Sequence, residues 1–173
     1  MELRGKAIVI MGAARGLGRK MAERIAAEGA KIALVDLDPE MLQEAKRACS
    51  NGAAEVRDYV VEVTDEGAVE ALFQDVRNDF GAVDDGLINN AGTTSDALQV
   101  KAVDGKVVSK MTTAEFDKVI AVDLRGVFLC GREAAVHMVE GGRAASSSTS
   151  PASPPPAISD RRITPQRRPG SPP

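Results

Sequence analysis

Gly12, Gly16 and Gly18 lie in the stretch Gly12-Ala13-Ala14-Arg15-Gly16-Leu17-Gly18, which follows the apolar run Ala7-Ile8-Val9-Ile10-Met11 and opens a helical pattern reaching Glu28. A strand that ends in a glycine-rich turn leaves backbone N–H groups pointing outward at a helix N-terminus. The unpaired donors and the helix dipole both favour an anion there. Glycine lets the chain turn tightly and lets phosphates approach with no Cβ in the way. Three glycines alone describe a tight turn equally well, but the context narrows the reading. Eighteen residues after Gly18 a second apolar run, Ile32-Ala33-Leu34-Val35, ends at Asp36. A carboxylate at that place accepts both hydroxyls of an adenosine ribose and repels a 2′-phosphate. Strand, glycine turn, helix, strand and acid together point to dinucleotide binding.

Holding these residues in place requires alternating strands and helices, the pattern of a parallel sheet covered by crossover helices. The spacing predicts a strand over 6–11, a helix over 16–28 stopped by Gly29, and a strand over 31–36. Asp38 then caps a helix begun by Pro39 and running to about Ala48. Asn51-Gly52 turns the chain into a strand from Glu55 to Val63. A helix starts at Thr64 or Asp65 and carries Val69, Leu72, Phe73 and Val76 on one face. Gly86-Leu87-Ile88 reads as a fourth strand that ends in Asn89-Asn90-Ala91-Gly92. Residues 93–111 are polar and read as a loop with room for a small hairpin. Thr112-Thr113-Ala114-Glu115 is a capping box that launches one long helix to Gly141-Gly142.

Length and composition bound the rest. A chain of 173 residues is normally one domain with a real core. Met1-Glu2-Leu3-Arg4-Gly5 runs straight into the first strand, so no leader is expected. No apolar run approaches the roughly 20 residues that cross a bilayer, so a soluble cytoplasmic protein is expected. Two cysteines, Cys49 and Cys130, make no disulfide framework, and no metal site is expected. The single histidine, His137, falls on the long helix as an exposed or packed side chain. A seam divides the chain: eight of nine prolines lie after Gly142, and Arg143–Pro173 holds five Arg and one Asp, or +4, which leaves −7 for residues 1–142 given the total of −3. The expected organisation is a domain over 1–142 and a disordered Pro/Ser/Arg-rich tail over 143–173. Five arginines without interleaved aromatics do not suggest nucleic-acid binding.

Asn89-Asn90-Ala91-Gly92, taken in order with Gly12–Gly18 and Asp36, resembles the short-chain dehydrogenase/reductase family over residues 1–142. The segment 93–111 and Thr113-Ala114-Glu115-Phe116 are most similar to its 3-oxoacyl-acyl-carrier-protein reductases. The resemblance implies an α/β fold, here the N-terminal part, about four strands, of a Rossmann-type doubly wound parallel sheet. It also implies a nicotinamide cofactor and hydride transfer at a carbonyl or alcohol carbon of a small-molecule or acyl-thioester substrate. By position, Gly12, Gly16, Leu17 and Gly18 would hold the pyrophosphate, and Asn90, Ala91 and Gly92 would line the cofactor crevice, with Asn90 packed beside the adenosine ribose. Glu62 and Val63 take the place of the family's Asp-Val pair near the adenine. Arg15 lies where some NADP-using relatives contact the 2′-phosphate, and Asp36 where NAD-using relatives hold the ribose. NAD(H) is therefore the expected cofactor, with NADP(H) not excluded. Homo-oligomers through the helix 113–140 are a further implication, and no membrane partner is.

Two departures from the family stand out. Asp123, in Val122-Asp123-Leu124, occupies the place of an Asn that holds a water in the proton relay. It lacks an amide donor and adds a negative charge, as a working variant or a lesion. The family's Ser…Tyr-x-x-x-Lys order should follow the long helix, yet no Tyr or Lys follows Gly142. No catalytic residue is therefore assigned, and the chain as given is expected to be inactive, at most binding dinucleotide or pairing with a homologue. By family the expected function is an NAD(P)(H)-dependent oxidoreductase; the inactive remnant is the alternative function and the expected behaviour of the chain as given. Codons read one frame over, pairing each third base with the next two, allow Ile-Ile-Ile-Asn-Ile-Ser-Ser from Ala145–Ala152. The same shift allows Asn-Ile-Gly-Gln-Thr-Asn-Tyr-Ser-Ala-Ala-Lys-Ala-Gly from Ala157–Gly170. Residues from about 143 onward are thus expected to be out of frame with an intact ancestral gene. Resequencing the coding DNA across codons 140–146 should show the frame change; an unambiguous in-frame, unrelated tail would refute it.

Overall fold

The structure, a computed structural model, describes residues 3–81, 86–95 and 98–141. The sequence expectations for the tail 143–173 lie outside the described residues. Along the chain run β1 (Ala7–Met11), α1 (Gly16–Ala27), β2 (Lys31–Asp36), α2 (Pro39–Cys49), β3 (Glu55–Val60), α3 (Glu66–Phe80) and β4 (Gly86–Asn89). A hairpin of β5 (Val100–Val103) and β6 (Lys106–Lys110) follows, then α4 (Thr113–Ile120), a π-helical stretch (Ala121–Gly126) and α5 (Val127–Glu140). The first four strands form one parallel sheet in the order β3-β2-β1-β4.

Strand alternation sorts the core onto both faces of this sheet, as buried parallel strands require. Val9 and Met11, with Ala33 and Val35, face α3 and α5, where Phe73, Val76, Leu129 and Met138 close the layer. Ile8 and Ile10, with Ile32 and Leu34, face α1 and α2 and pack on Ala22, Ala26, Leu42 and Ala45. The single-residue register, Ile8 opposite Ile32 and Val9 opposite Ala33, keeps each set on its own side. This is a Rossmann-type arrangement with helices on both faces.

The helix starts follow their caps. Asp38 accepts from the backbone N–H groups of Glu40 and Met41, and Pro39 needs no donor in the first turn. Thr112 and Glu115 bond reciprocally, the Glu115 N–H to Thr112 Oγ1 at 3.2 Å and the Thr112 N–H to Glu115 Oε2 at 2.7 Å. Glu28 is the last half-helical residue of α1, and Gly29 beyond it takes φ +80°.

Two expectations need correction, at the end of β3 and in the long helix, and a third is filled in. Strand β3 stops at Val60 instead of Val63, because its partner β2 ends at Asp36 and the Val61 N–H bonds the last available carbonyl, that of Asp36. The polar segment 93–111 holds a true hairpin, its turn made by Asp104 and Gly105 at φ 49° and 74°. The long helix is not α-helical throughout: Ala121–Gly126 widens to a π turn that brings Gly126 against Val63, where a Cβ would stand 2.9 Å from Val63 Cγ2.

His137 is buried, stacked on Phe73 with ring centroids 6.0 Å apart, and its Nδ1 has no hydrogen-bond partner among the described residues. The Tyr59 hydroxyl donates to Asp79 Oδ2 at 2.7 Å and ties β3 to α3. Cys49 and Cys130 are buried on opposite faces of the sheet. Burial pushes both thiols from about 9 up to about 11, aided at Cys49 by the Glu23 carboxylate. The unfolded chain loses these protons first as pH rises, so stability held below pH 9 should fall between about pH 9 and 11. Urea unfolding of the Cys49→Ala/Cys130→Ala variant should show a shallower decline over that window than the wild-type chain.

Candidate functional site

The site starts where β1 ends. Gly12 takes φ +72°, and the N–H groups of Gly12 and Ala13 both bond the Val35 carbonyl, which folds the glycine turn over the end of β2. From there Arg15 runs extended into α1, whose N-terminus has no side-chain cap and no acid in its first turn. Its leading N–H groups are therefore available to an external anion. Gly12 and Gly18 are required by contact: a Cβ on Gly12 would lie 2.8 Å from Ala91 Cα, and one on Gly18 would lie 1.9 Å from the Gly12 carbonyl oxygen. Into the same junction the Asn90 side chain donates from Nδ2 to the Gly12 carbonyl at 3.0 Å. The end of β4 is thereby tied to the glycine turn.

The turn, the ends of β2 and β3 and the segment after β4 enclose a crevice of about 640 Å³. Of the residues expected from sequence, Gly12, Arg15, Asp36, Glu62, Val63, Asn90, Ala91 and Gly92 line it. Gly16, Leu17 and Gly18 do not. Gly18 is buried beneath Gly12, and Leu17 stands 76 % exposed at the start of α1.

Asp36 is held at its post by backbone donors. Its Oδ2 accepts from the Ala14 N–H at 3.1 Å and its Oδ1 from the Leu37 N–H at 2.8 Å. Asp38 and Glu62 add two more carboxyl groups to the lining, and Glu62 Oε1 accepts from the Thr64 N–H. The Arg15 side chain is exposed. Sequence reasoning missed Lys118 and Val122, which also line the crevice. Their four-residue spacing on a helix was the available signal, since it puts both on one face. Asp123, next to Val122 in the π turn, accepts the Thr93 N–H on Oδ1 at 2.8 Å and lies against Gly92.

An uncapped helix N-terminus, a turn closed to any Cβ and an acid fixed at the tip of the neighbouring strand fit a phosphate-linked nucleoside. Among the described residues no His/Cys/Asp/Glu group could hold a metal ion, and no helix is long and apolar enough to cross a membrane.

A family model for short chain dehydrogenases matches residues 6–149. The chain belongs to the short-chain dehydrogenase family. It is 43% identical over 128 residues to the levodione reductase of Leifsonia aquatica, covering 72% of this chain and 44% of that protein. It is 33% identical over 140 residues to a 3-oxoacyl-acyl-carrier-protein reductase of Thermotoga maritima, covering 81% and 53%. Among solved structures, NAD+-bound xylitol dehydrogenase superposes with a TM-score of 0.73 at 30% identity, covering 83% of this chain and 52% of that one. The carveol dehydrogenase of Mycobacterium avium in complex with NAD gives 0.74 at 26% identity, covering 84% and 54%. The chain spans about half the length of the relatives it matches.

The two glycine contacts separate by cause. Gly18→Ala drives a Cβ into backbone and should cost about 2 kcal/mol, more than Gly16→Ala, which meets open space and carries only the strain of φ +57°. Urea unfolding of both variants checks the order; equal losses would contradict the crowding at Gly12.

Proposed function

We propose that residues 1–142 form the dinucleotide half of a short-chain oxidoreductase and that it takes NAD(H) in preference to NADP(H). In this reading Gly12 and the start of α1, at Gly16 and Leu17, hold the pyrophosphate, and Gly18 beneath Gly12 lets the two backbones touch. Asp36 accepts the adenosine ribose hydroxyls, Glu62 and Val63 flank the adenine, and Asn90, Ala91 and Gly92 form the facing wall. The observation that carries the preference is the fixed Asp36 carboxylate, with Asp38 beside it in the lining and the Arg15 side chain out in solvent. A 2′-phosphate brought to the end of β2 would be repelled by the Asp36 and Asp38 carboxylates.

When bound, the nicotinamide supplies or accepts a hydride at a carbonyl or alcohol carbon, with a proton moving at the oxygen. The resemblance to 3-oxoacyl-acyl-carrier-protein reductases supports a 3-oxoacyl thioester or related carbonyl compound as substrate. We further propose that the chain as given binds without turnover. After Gly142 it has no Tyr and no Lys, and Tyr59 is engaged with Asp79 in the α3 layer. Self-association through the helix 113–140 belongs to the same reading. Phe116, Ile120, Leu124 and Phe128 recur every four residues and are all exposed.

Fluorescence titration tests the cofactor reading. NADH should bind about tenfold or more tighter than NADPH, and Asp36→Ala should narrow the gap by about that factor. Equal affinity of the unmutated chain for the two would refute the preference. In the same preparation NADH with an acetoacetyl thioester should show no consumption above background, and steady turnover would overturn the inert reading.

A further inference from the structure

Asp123 departs from the family pattern beside the crevice, as Glu62 does within it, and its contacts are specific. Its Oδ1 is committed to the Thr93 N–H at 2.8 Å. Its carboxyl oxygen would stand 3.5 Å from a Cβ on Gly92. Gly92 and Thr93 both line the crevice, as does Val122 beside it in sequence. Asp123 Oδ2 has no hydrogen bond among the described residues. An exposed carboxylate thus stands beside the part of the wall formed by Gly92 and Thr93.

The position of that wall decides which part of a dinucleotide would feel the charge. On the reading given above, the pyrophosphate sits at the start of α1 and Asp36 holds the adenosine ribose at the end of β2. The second nucleoside must leave the pyrophosphate along the remaining wall, toward Gly92 and Thr93. That nucleoside carries the nicotinamide. The oxidised ring bears a positive charge that the reduced ring does not, so a nearby carboxylate attracts one form and is indifferent to the other.

We propose that Asp123 is a specificity-determining residue that biases the crevice toward the oxidised cofactor, making NAD+ bind tighter relative to NADH than an amide at this position would. The inference rests on the dinucleotide reading of the crevice. An asparagine has the same shape and still offers an oxygen to the Thr93 N–H, so Asp123→Asn removes the charge and keeps the bond. Lys118 also lines the crevice and opposes the effect, but its contribution is the same in both proteins and cancels in their comparison.

The test measures dissociation constants of the full chain and the Asp123→Asn variant for NADH by fluorescence, and for NAD+ and ADP-ribose by displacement of NADH. The substitution should weaken NAD+ relative to NADH by about three- to tenfold, and ADP-ribose, which has no nicotinamide, should bind both proteins alike. An unchanged NAD+ to NADH ratio with ADP-ribose still bound would overturn the role of Asp123 alone. Failure of ADP-ribose to bind the unmutated chain would remove the crevice reading and this proposal with it. Circular dichroism and urea unfolding of the variant, expected to match the unmutated chain, show that the fold is kept.

Discussion

Three pieces of backbone meet at the Gly12 carbonyl, and the rest of the molecule is arranged around that meeting. The turn after β1, the first turn of α1 and the segment after β4 approach so closely that a Cβ on Gly18 would lie 1.9 Å from that oxygen, and one on Gly12 would lie 2.8 Å from Ala91 Cα. The Asn90 amide then donates to the same carbonyl and locks the contact. A buried carbonyl with no donor would be costly, so the side chain that satisfies it also fixes the spacing between two strand ends. The crevice is what remains open above this junction.

The sheet supplies the rigidity that such a junction needs. Parallel pairing holds β1 between β2 and β4, and hydrophobic layers on both faces keep the strand ends from shifting against one another. Conformational freedom is concentrated where chemistry needs it, in glycines at the turn. Charge is then distributed by backbone: the Ala14 and Leu37 N–H groups orient Asp36, and the Thr93 N–H orients Asp123. Asp36 is therefore fixed in the crevice lining, and Asp123 beside the Gly92–Thr93 wall.

Much of this was legible in the sequence because local chemistry and tertiary role agree. Alternating runs such as Ile32-Ala33-Leu34-Val35 are buried on both faces and could only be central strands. Asp38-Pro39 and Thr112–Glu115 announce helix starts through donors that must be satisfied locally. The Asp104-Gly105 pair carried a hairpin signal as well, since both residues take positive φ, but the flanking residues are exposed and lack a clean apolar alternation. The end of β3 was misread, because Val61 and Val63 look like strand while the neighbouring strand has already run out. Val63 is buried instead by the π turn at Gly126.

The sequence by itself determined the order of elements, the glycine turn and the acid at the end of β2, because these depend on backbone freedom and on the period of apolar residues. Only the tertiary structure decided which residues share the crevice. Lys118 comes from α4, far along the chain, and Val122 from the π turn that follows it, which no local pattern dictates. The same turn sets the Asp123 carboxylate against Gly92 and Thr93, thirty residues earlier. Gly18 shows the division most clearly. Its sequence position suggested contact with phosphate, whereas packing places it beneath Gly12, where it lets two backbones touch.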